Sequence, residues 1–491
     1  MLFNSWTFVV FLLVVFAGYY FGPRWLSRTA AGQTGWLALA SFVFYGWHTP
    51  WLVILLVVST FINAEAARRL LDPEAPQSRR RLVVAVALVF NLGALAFFKY
   101  AALFAQAILP ASVWAQWKPL IGDIPLPIGI SFYTFQGISL VMDLWRAGPK
   151  GIPGAEFPRG LRETVWFQQR TWFFKAFFPQ LISGPIVKAH EFFHQIGLKR
   201  LGDLDWNGAV KHLVGGFFLK MVVADNLKEA TLLLAYPKFV GMSKLGLLAL
   251  LYGFSFQIFA DFAGYSMIAI GLGKLFGYEL PVNFRQPYIA RSITEFWRRW
   301  HISLSTWLRS YLYIPLGGNR HGAVRTYINL FLVMFLGGLW HGAAWSYAIW
   351  GTAHGILLAI ERLCGVQGDD PRAPSRWTIG SVIQAVITFN FVSILWLLFK
   401  LPDFRQVIEF GRCLVSGKGG IEPQVLFVVA LFSLPVVLMH LYHAAERPLA
   451  SWRKRMGGMA WSRAEALAYA AMLVLIGMNC GTPGEFIYFQ F

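Results

Sequence analysis

The chain has 491 residues and a mass of 55.4 kDa, with 57% hydrophobic residues, 14% charged residues and a mean hydropathy of +0.53. Soluble domains average about 25% charged residues. This composition excludes a soluble enzyme, a disordered tail and a coiled coil, and it leaves an all-α polytopic membrane protein. A net charge of +19 would suggest nucleic acid in a soluble protein. Cytoplasmic loops of membrane proteins carry surplus Lys and Arg, so a membrane-lipid setting and no nucleic-acid partner are expected.

The first apolar run, 2–21, has no cation before it and Arg24 and Arg28 after it. It reads as a retained first span with its N-terminus outside the cytoplasm, not as a cleaved signal. Further candidate spans follow at 35–47, 51–66, 82–107, 127–145, 172–187, 209–224 and 245–276, then at 327–360, 379–399, 425–441 and 464–478. Roughly eleven to thirteen crossings or re-entrant passages fit these runs. Arg68, Arg69, Arg79, Arg80 and Arg81 mark one cytoplasmic gap, and Arg453, Lys454 and Arg455 mark another. The organisation expected is one membrane domain, 1–491: N-terminal spans to 284, a cytoplasmic-edge motif region at 285–326, a broken span at 327–361 and C-terminal spans at 377–491. Cys364, Cys413 and Cys480 are too scattered for a metal pair or a disulfide framework.

The stretch 285–325 holds seven Arg against one acid, Glu295, and should face the cytoplasm. The apolar run 327–360 after it would make a straight helix about 50 Å long, against a hydrocarbon core of about 30 Å. Both flanks are basic, so the run should break or fold back, with the break expected between Gly337-Gly338 and Gly342. His341 then lines a cavity near the middle of the membrane, because irregular backbone at that depth must be buried in protein or face a cavity.

Ionisable groups inside spans are functional candidates. In Trp340-His341-Gly342, a neutral imidazole can take a proton from a hydroxyl in acyl transfer; the bland alternative is a packing histidine on a backbone carbonyl. Trp345, at i+4, could wall its pocket, and His354 reads as structural. The run from Glu295 through Trp297, Arg298 and Arg299 to His301 offers cations and stacking surfaces to a phosphate-rich donor such as acetyl-CoA or another acyl thioester, or else an interfacial anchor. Gln257 and Asp261, one turn apart in an apolar run, form a buried polar cluster, and a carboxylate there needs a partner such as an Arg of the basic stretch. His190-Glu191-Phe192-Phe193-His194 matches the zinc-protease pattern but has no evident third ligand. No metal and no bound cofactor are expected.

These residues carry a family resemblance. The chain resembles the membrane-bound O-acyltransferases, in particular the bacterial alginate O-acetylase branch. The likeness runs from Leu2-Phe3-Asn4-Ser5 through 127–135, 178–185, Asp261-Phe262-Ala263-Gly264-Tyr265-Ser266 and Asn283-Phe284-Arg285-Gln286-Pro287-Tyr288. It continues through 295–305, 313–320, Trp340-His341-Gly342 and the tail at 486–489. The resemblance implies transfer of an acetyl group from a cytoplasmic donor toward an extracytoplasmic polysaccharide, across the bacterial inner membrane. A periplasmic SGNH-type acetyltransferase is the implied partner. It also implies His341 as the catalytic histidine, His301 as the second, and the zinc-like motif as accidental. Ser310 and Met267 stand where the alginate branch usually has Asp; the second departure is shared with the teichoic-acid D-alanylation branch. Rival readings are D-alanyl transfer, a transporter, an intramembrane zinc protease and a scaffold for polysaccharide export.

Overall fold

A computed structural model describes residues 1–122, 124–182, 184–366, 368, 370, 377–417, 419–445, 458–480, 484 and 486. Ser183, the basic group Arg453, Lys454 and Arg455, and the tail residues 487–489 lie outside the described residues. Among the described residues there are helices and no strand. Gln77–Ile108, Lys244–Leu275, Gly322–His341, Ile379–Lys400, Pro423–Ala444 and Gly458–Met478 are long and apolar enough to cross a membrane, and Trp6–Phe21 is a shorter apolar helix. The protein is a multi-pass helical membrane protein. Its contacts gather into two compact units, Met1–Val210 with Ala269–Pro281, and Lys211–Ile268 with Val282–Phe491.

In the first unit, side-chain caps set where helices begin. Ser5 accepts from Phe8 N at the start of Trp6–Phe21, and Thr29 accepts from Gly32 N at the start of Ala30–Gly46, each satisfying an amide that has no intrahelical partner. Asn63 and Asn91 exchange amide hydrogen bonds of 2.9 and 3.1 Å between Leu52–Leu71 and Gln77–Ile108. Buried polar pairs of this kind hold helices together where the hydrophobic effect supplies little.

The expected span at 172–187 is not a crossing helix. Leu161–Ala176 ends before it, Phe177 is non-helical, and Phe178–Leu181 makes one short turn. Pro179 lacks an N–H and would clash with the carbonyl four residues back, so the earlier helix cannot run through it. The His190–His194 motif follows on a four-residue helix, Ala189–Phe192, and a 3₁₀ turn. His190 Nδ1 is 2.8 Å from Asp143 Oδ2, while His194 Nδ1 is 3.3 Å from the carbonyl of His190. The two rings thus serve local contacts, away from a shared helical face.

In the second unit the 327–360 run is a helical hairpin. Gly322–His341 and Trp345–Leu363 are joined by Gly342-Ala343-Ala344. The strands of contact run in opposite directions, Gly338 against Gly351 and Met334 against both Gly351 and Gly355, so both basic ends return to one side. Within the expected stretch from Gly337-Gly338 through Gly342, the break falls at its last residue, Gly342. Gly338 is helical because its role is close approach: a Cβ there would overlap Tyr347 O and lie 3.0 Å from Gly351 Cα.

Candidate active site

His341 ends the outgoing helix of the hairpin and is 4% exposed. Three aromatic rings stand edge-on to its imidazole: Trp340 at 5.0 Å, Trp350 at 5.3 Å and Phe399 at 5.1 Å between centroids. Such T-shaped contacts fix ring orientation. The sequence places His341 near the middle of the membrane. The structure places it level with Phe399, next to the last residue of Ile379–Lys400, toward one end of that spanning helix.

A cavity of about 700 Å³ reaches His341. One wall is a single helical face, Leu330, Val333, Met334, Gly337 and His341, at the spacing of an α-helix. From Leu330 to His341 is about 16 Å by helical rise. Trp297 and Trp350 line it inside, and Arg298, Arg309, Arg320 and Arg362, all exposed, line its outer part. No acid is among the lining residues. The cavity therefore offers donors and positive charge at its mouth and an imidazole at its inner end.

The motif helix Ile293–Arg299 is positioned from both directions. Ser292 caps it by accepting from Glu295 N at 3.0 Å. Glu361, near the end of the returning hairpin helix, accepts from Ile293 N, Thr294 N and Thr294 Oγ1. A carboxylate at a helix N-terminus meets free amides and the positive end of the dipole. This clamp sets Trp297 and Arg298 against the hairpin. Trp297 Nε1 donates to His354 Nδ1 at 3.3 Å, and Arg298 donates to the carbonyl of Gly368.

Not every residue singled out in the sequence reaches the cavity. Arg299 is 3% exposed and does not line it. Its guanidinium grips Glu295 at 2.7 and 2.8 Å and donates to the carbonyl of Arg285, so it braces the motif helix. Trp345 is 53% exposed. The i+4 relation to His341 fails because the helix breaks between them at Gly342, and Trp350 takes the place beside the imidazole. Trp340 is buried between the two histidines, 5.8 Å from the His301 ring.

His301 is fully buried behind His341, with ring centroids 6.4 Å apart. It has a left-handed backbone, φ 43° and ψ 53°, at the turn between two short helices, a conformation rare outside Gly, Asn and Asp. Asn283 holds that turn. Its carbonyl accepts Ile302 N at 3.0 Å, and its Oδ1 accepts from Ser303 N, Ser303 Oγ and His301 Nδ1 at 3.2, 2.9 and 3.1 Å. The Nδ1–H tautomer leaves Nε2 as the acceptor nitrogen. Burial pushes the His301 pKa down to about 3, so its ring is neutral.

Asp261 pairs with a lysine, where an Arg of the basic stretch was expected. Lys220 Nζ lies 2.7 Å from both Asp261 Oδ1 and Asp225 Oδ1. Lys220 sits on a π-helical turn, Phe218–Ala224, and π-turns inside helices are frequent at functional sites. Gln257 accepts from Thr231 Oγ1 at 2.6 Å. Met267 packs near Gly215, and Ser310 lies on the turn beside cavity-lining Arg309.

Sequence reasoning missed Trp350, Phe399, Arg309, Arg320 and Arg362. Trp350 and His354 are one turn apart on one face, which was the available signal. The arginines had none, since spacing alone does not say which loop cations converge.

Fold and site together define a polytopic helical membrane protein with a buried histidine at the inner end of a cation-lined cavity. The membrane-bound O-acyltransferase family profile matches residues 113–402, and the chain belongs to that family; it is an O-acyltransferase. It is 38% identical to a probable alginate O-acetylase of Pseudomonas aeruginosa, over 82% of this chain and 73% of that protein. It is 34% identical to a peptidoglycan O-acetyltransferase of Helicobacter pylori, over 85% of this chain and 80% of that protein. A teichoic acid D-alanyltransferase of Bacillus subtilis is 29% identical over 57% of this chain and 70% of its own length.

Proposed function

We propose that the protein transfers an acetyl group from a cytoplasmic thioester, acetyl-CoA, toward a cell-envelope polysaccharide at the bacterial inner membrane. The observation that carries this reading is His341 at the inner end of a cavity whose mouth bears four arginines and no acid. Phosphates at that mouth would meet guanidiniums and no carboxylate, and an arm about 16 Å long would span to the imidazole. The acetylases among the relatives, named for alginate and peptidoglycan, support acetyl as the group and a polysaccharide as its destination. A periplasmic SGNH-type acetyltransferase would carry the group onward to the polymer.

In this reaction His341 accepts the proton of the attacking hydroxyl as its oxygen bonds to the thioester carbon. The C–S bond then breaks, and the sulfur takes the proton back from the imidazolium. The two rings are 6.4 Å apart, so both lie close to one acceptor group. His301, with its Nδ1–H given to Asn283, has an unprotonated Nε2 that can only accept a hydrogen bond, so its role here is to orient a donor hydrogen beside His341.

The test compares ester-linked acetyl on surface polysaccharides in wild type, His341→Ala and a deletion strain, with membrane levels of the protein measured in parallel. Loss in both mutants at normal expression supports the reading. Retained acetylation in His341→Ala refutes the histidine's role, and D-alanine loss in place of acetyl loss reassigns the acyl group.

A further inference from the structure

A second pocket lies on the opposite side of the fold from the arginine mouth. The hairpin's open end is tied to the motif helix by Glu361 and Thr294, and Arg291 of the same loop stands 4.7 Å over Trp377, which precedes Ile379–Lys400. That helix is about 33 Å long by its rise, enough to cross the hydrocarbon core. Its far end, at Phe399, touches His341, Tyr347 and Trp350. Four residues beyond Phe399, Asp403 caps Phe404–Ser416. A cavity of about 460 Å³ opens there, lined by Tyr236, Asp403, Arg405, Gln406, Glu409 and Arg412.

This pocket is built on anchored parts. Phe410, 1% exposed, packs at 5.4 Å on Phe239, and Glu422 accepts from Ser243 N and Ser243 Oγ, which pins the loop carrying Tyr236. Glu409 and Arg412 pair at 3.2 Å. The side chains of Tyr236, Arg405 and Gln406 have no hydrogen bond to the described residues, and the Tyr236 ring is 51% exposed.

The two openings differ in chemistry. The arginine mouth carries four guanidiniums and no carboxylate, which suits an anion. The second pocket offers carboxylate acceptors, guanidinium and amide donors, and an aromatic face. A sugar hydroxyl both donates and accepts, and a sugar ring has an apolar face that an exposed aromatic side chain can cover. We infer that this pocket binds a saccharide unit of the acceptor polymer, on the side of the fold opposite the donor mouth. The inference rests on the acyl-transfer reading for its purpose, but binding is measured without a donor and so stands or falls separately.

The experiment uses the full-length protein in lipid nanodiscs. The probes are mannuronate oligosaccharides, soluble peptidoglycan disaccharide fragments and cello-oligosaccharides. Wild type should bind at least one of them saturably. Tyr236→Ala and the milder Gln406→Ala should each raise Kd, the first by about tenfold, equal to about 1.4 kcal/mol, with thermal unfolding midpoints confirming that both fold. The inference is overturned if wild type binds none of the probes, or if both variants bind as wild type does. It is equally overturned if the variants keep saccharide binding and instead lose a co-purifying extracytoplasmic protein, which would make the pocket a protein-docking surface.

Discussion

Replacing Gly351 with Ala should disturb the active site through a single methyl group. A Cβ at Gly351 would lie 3.0 Å from both Gly338 Cα and Met334 C, and would overlap the Met334 carbonyl oxygen. Comfortable carbon–carbon contacts are about 3.5–4.0 Å, so the hairpin must open by roughly 0.5–1 Å. Overpacking of this sort costs about 1–3 kcal/mol. The movement cannot be confined, because Trp350 is the neighbour of Gly351, and His341 lies three residues beyond Gly338 on the facing helix. A displacement near 1 Å at a reacting group can cost about a hundredfold in rate. Gly355→Ala is the milder control on the same face: its nearest neighbours would be Met334 Cβ at 3.3 Å and Phe331 Cα at 3.5 Å, so the methyl needs only a few tenths of an ångström of give. Alanine there should gain up to about 1 kcal/mol of helix propensity. Thermal unfolding in detergent and acetyl transfer by purified protein read both effects. Equal midpoints and equal rates for the two variants would refute the hairpin-contact argument.

Asn283→Ala should leave the buried Nδ1–H of His301 and the Ser303 amide without their acceptor, costing about 1–3 kcal/mol for each. Asn283→Asp keeps an acceptor and should unfold at a higher temperature than the alanine variant; the reverse order would sink the account of this turn. Arg320→Ala and Arg362→Ala, both exposed at the cavity mouth, should raise KM for acetyl-CoA about two- to fivefold with little change in kcat, as weak screened contacts do. Wild-type KM should climb with salt, and a salt-independent KM would remove the arginines from donor binding. The hydrogen bond that His190 donates to Asp143 raises the His190 pKa above 6.5, so the protonated pair stabilises the fold below pH 6.5 and loses that contribution as pH rises through the raised value. The gap in unfolding temperature between wild type and His190→Gln should therefore be wider at about pH 5.5 than at about pH 8.5; a constant gap would show that the pair is not the source.

Much of the fold was legible because apolar length is a coarse signal that few tertiary effects can override. Nearly every apolar run coincides with a helix, and the hairpin followed from a run too long for the membrane with basic flanks at both ends. The failures have local causes. At 172–187 hydropathy outweighed Pro179, whose steric effect acts regardless of how apolar its neighbours are. Within Gly337-Gly338 through Gly342 the sequence did not single out the breaking residue: Gly342 makes the break, and the glycine pair lets another helix approach closely. Trp345 was assigned from helical periodicity, which holds only while the helix continues. Arg299 and its neighbour Arg298 illustrate the remaining limit: adjacent guanidiniums point to opposite surroundings, one into the buried Glu295 pair and one to the cavity.

The transfer proposed above requires that His341 be reached from two sides. His341 closes a cavity that begins among arginines near the hairpin's open end. Its imidazole also touches Phe399, four residues before Asp403 and the polar pocket at the other end of the same spanning helix. A soluble acyltransferase can admit donor and acceptor through one cleft. An enzyme whose substrates lie in different compartments cannot, and it must also keep ions and water from passing between the two openings. Under that proposal the closely packed rings of Trp340, Trp350, Trp396 and Phe399 near His341 would meet that requirement. They are large, rigid and apolar, so the barrier is made of the same side chains that orient the imidazole. Enlarging a path there, as in Phe399→Ala, would then loosen the histidine and the seal together.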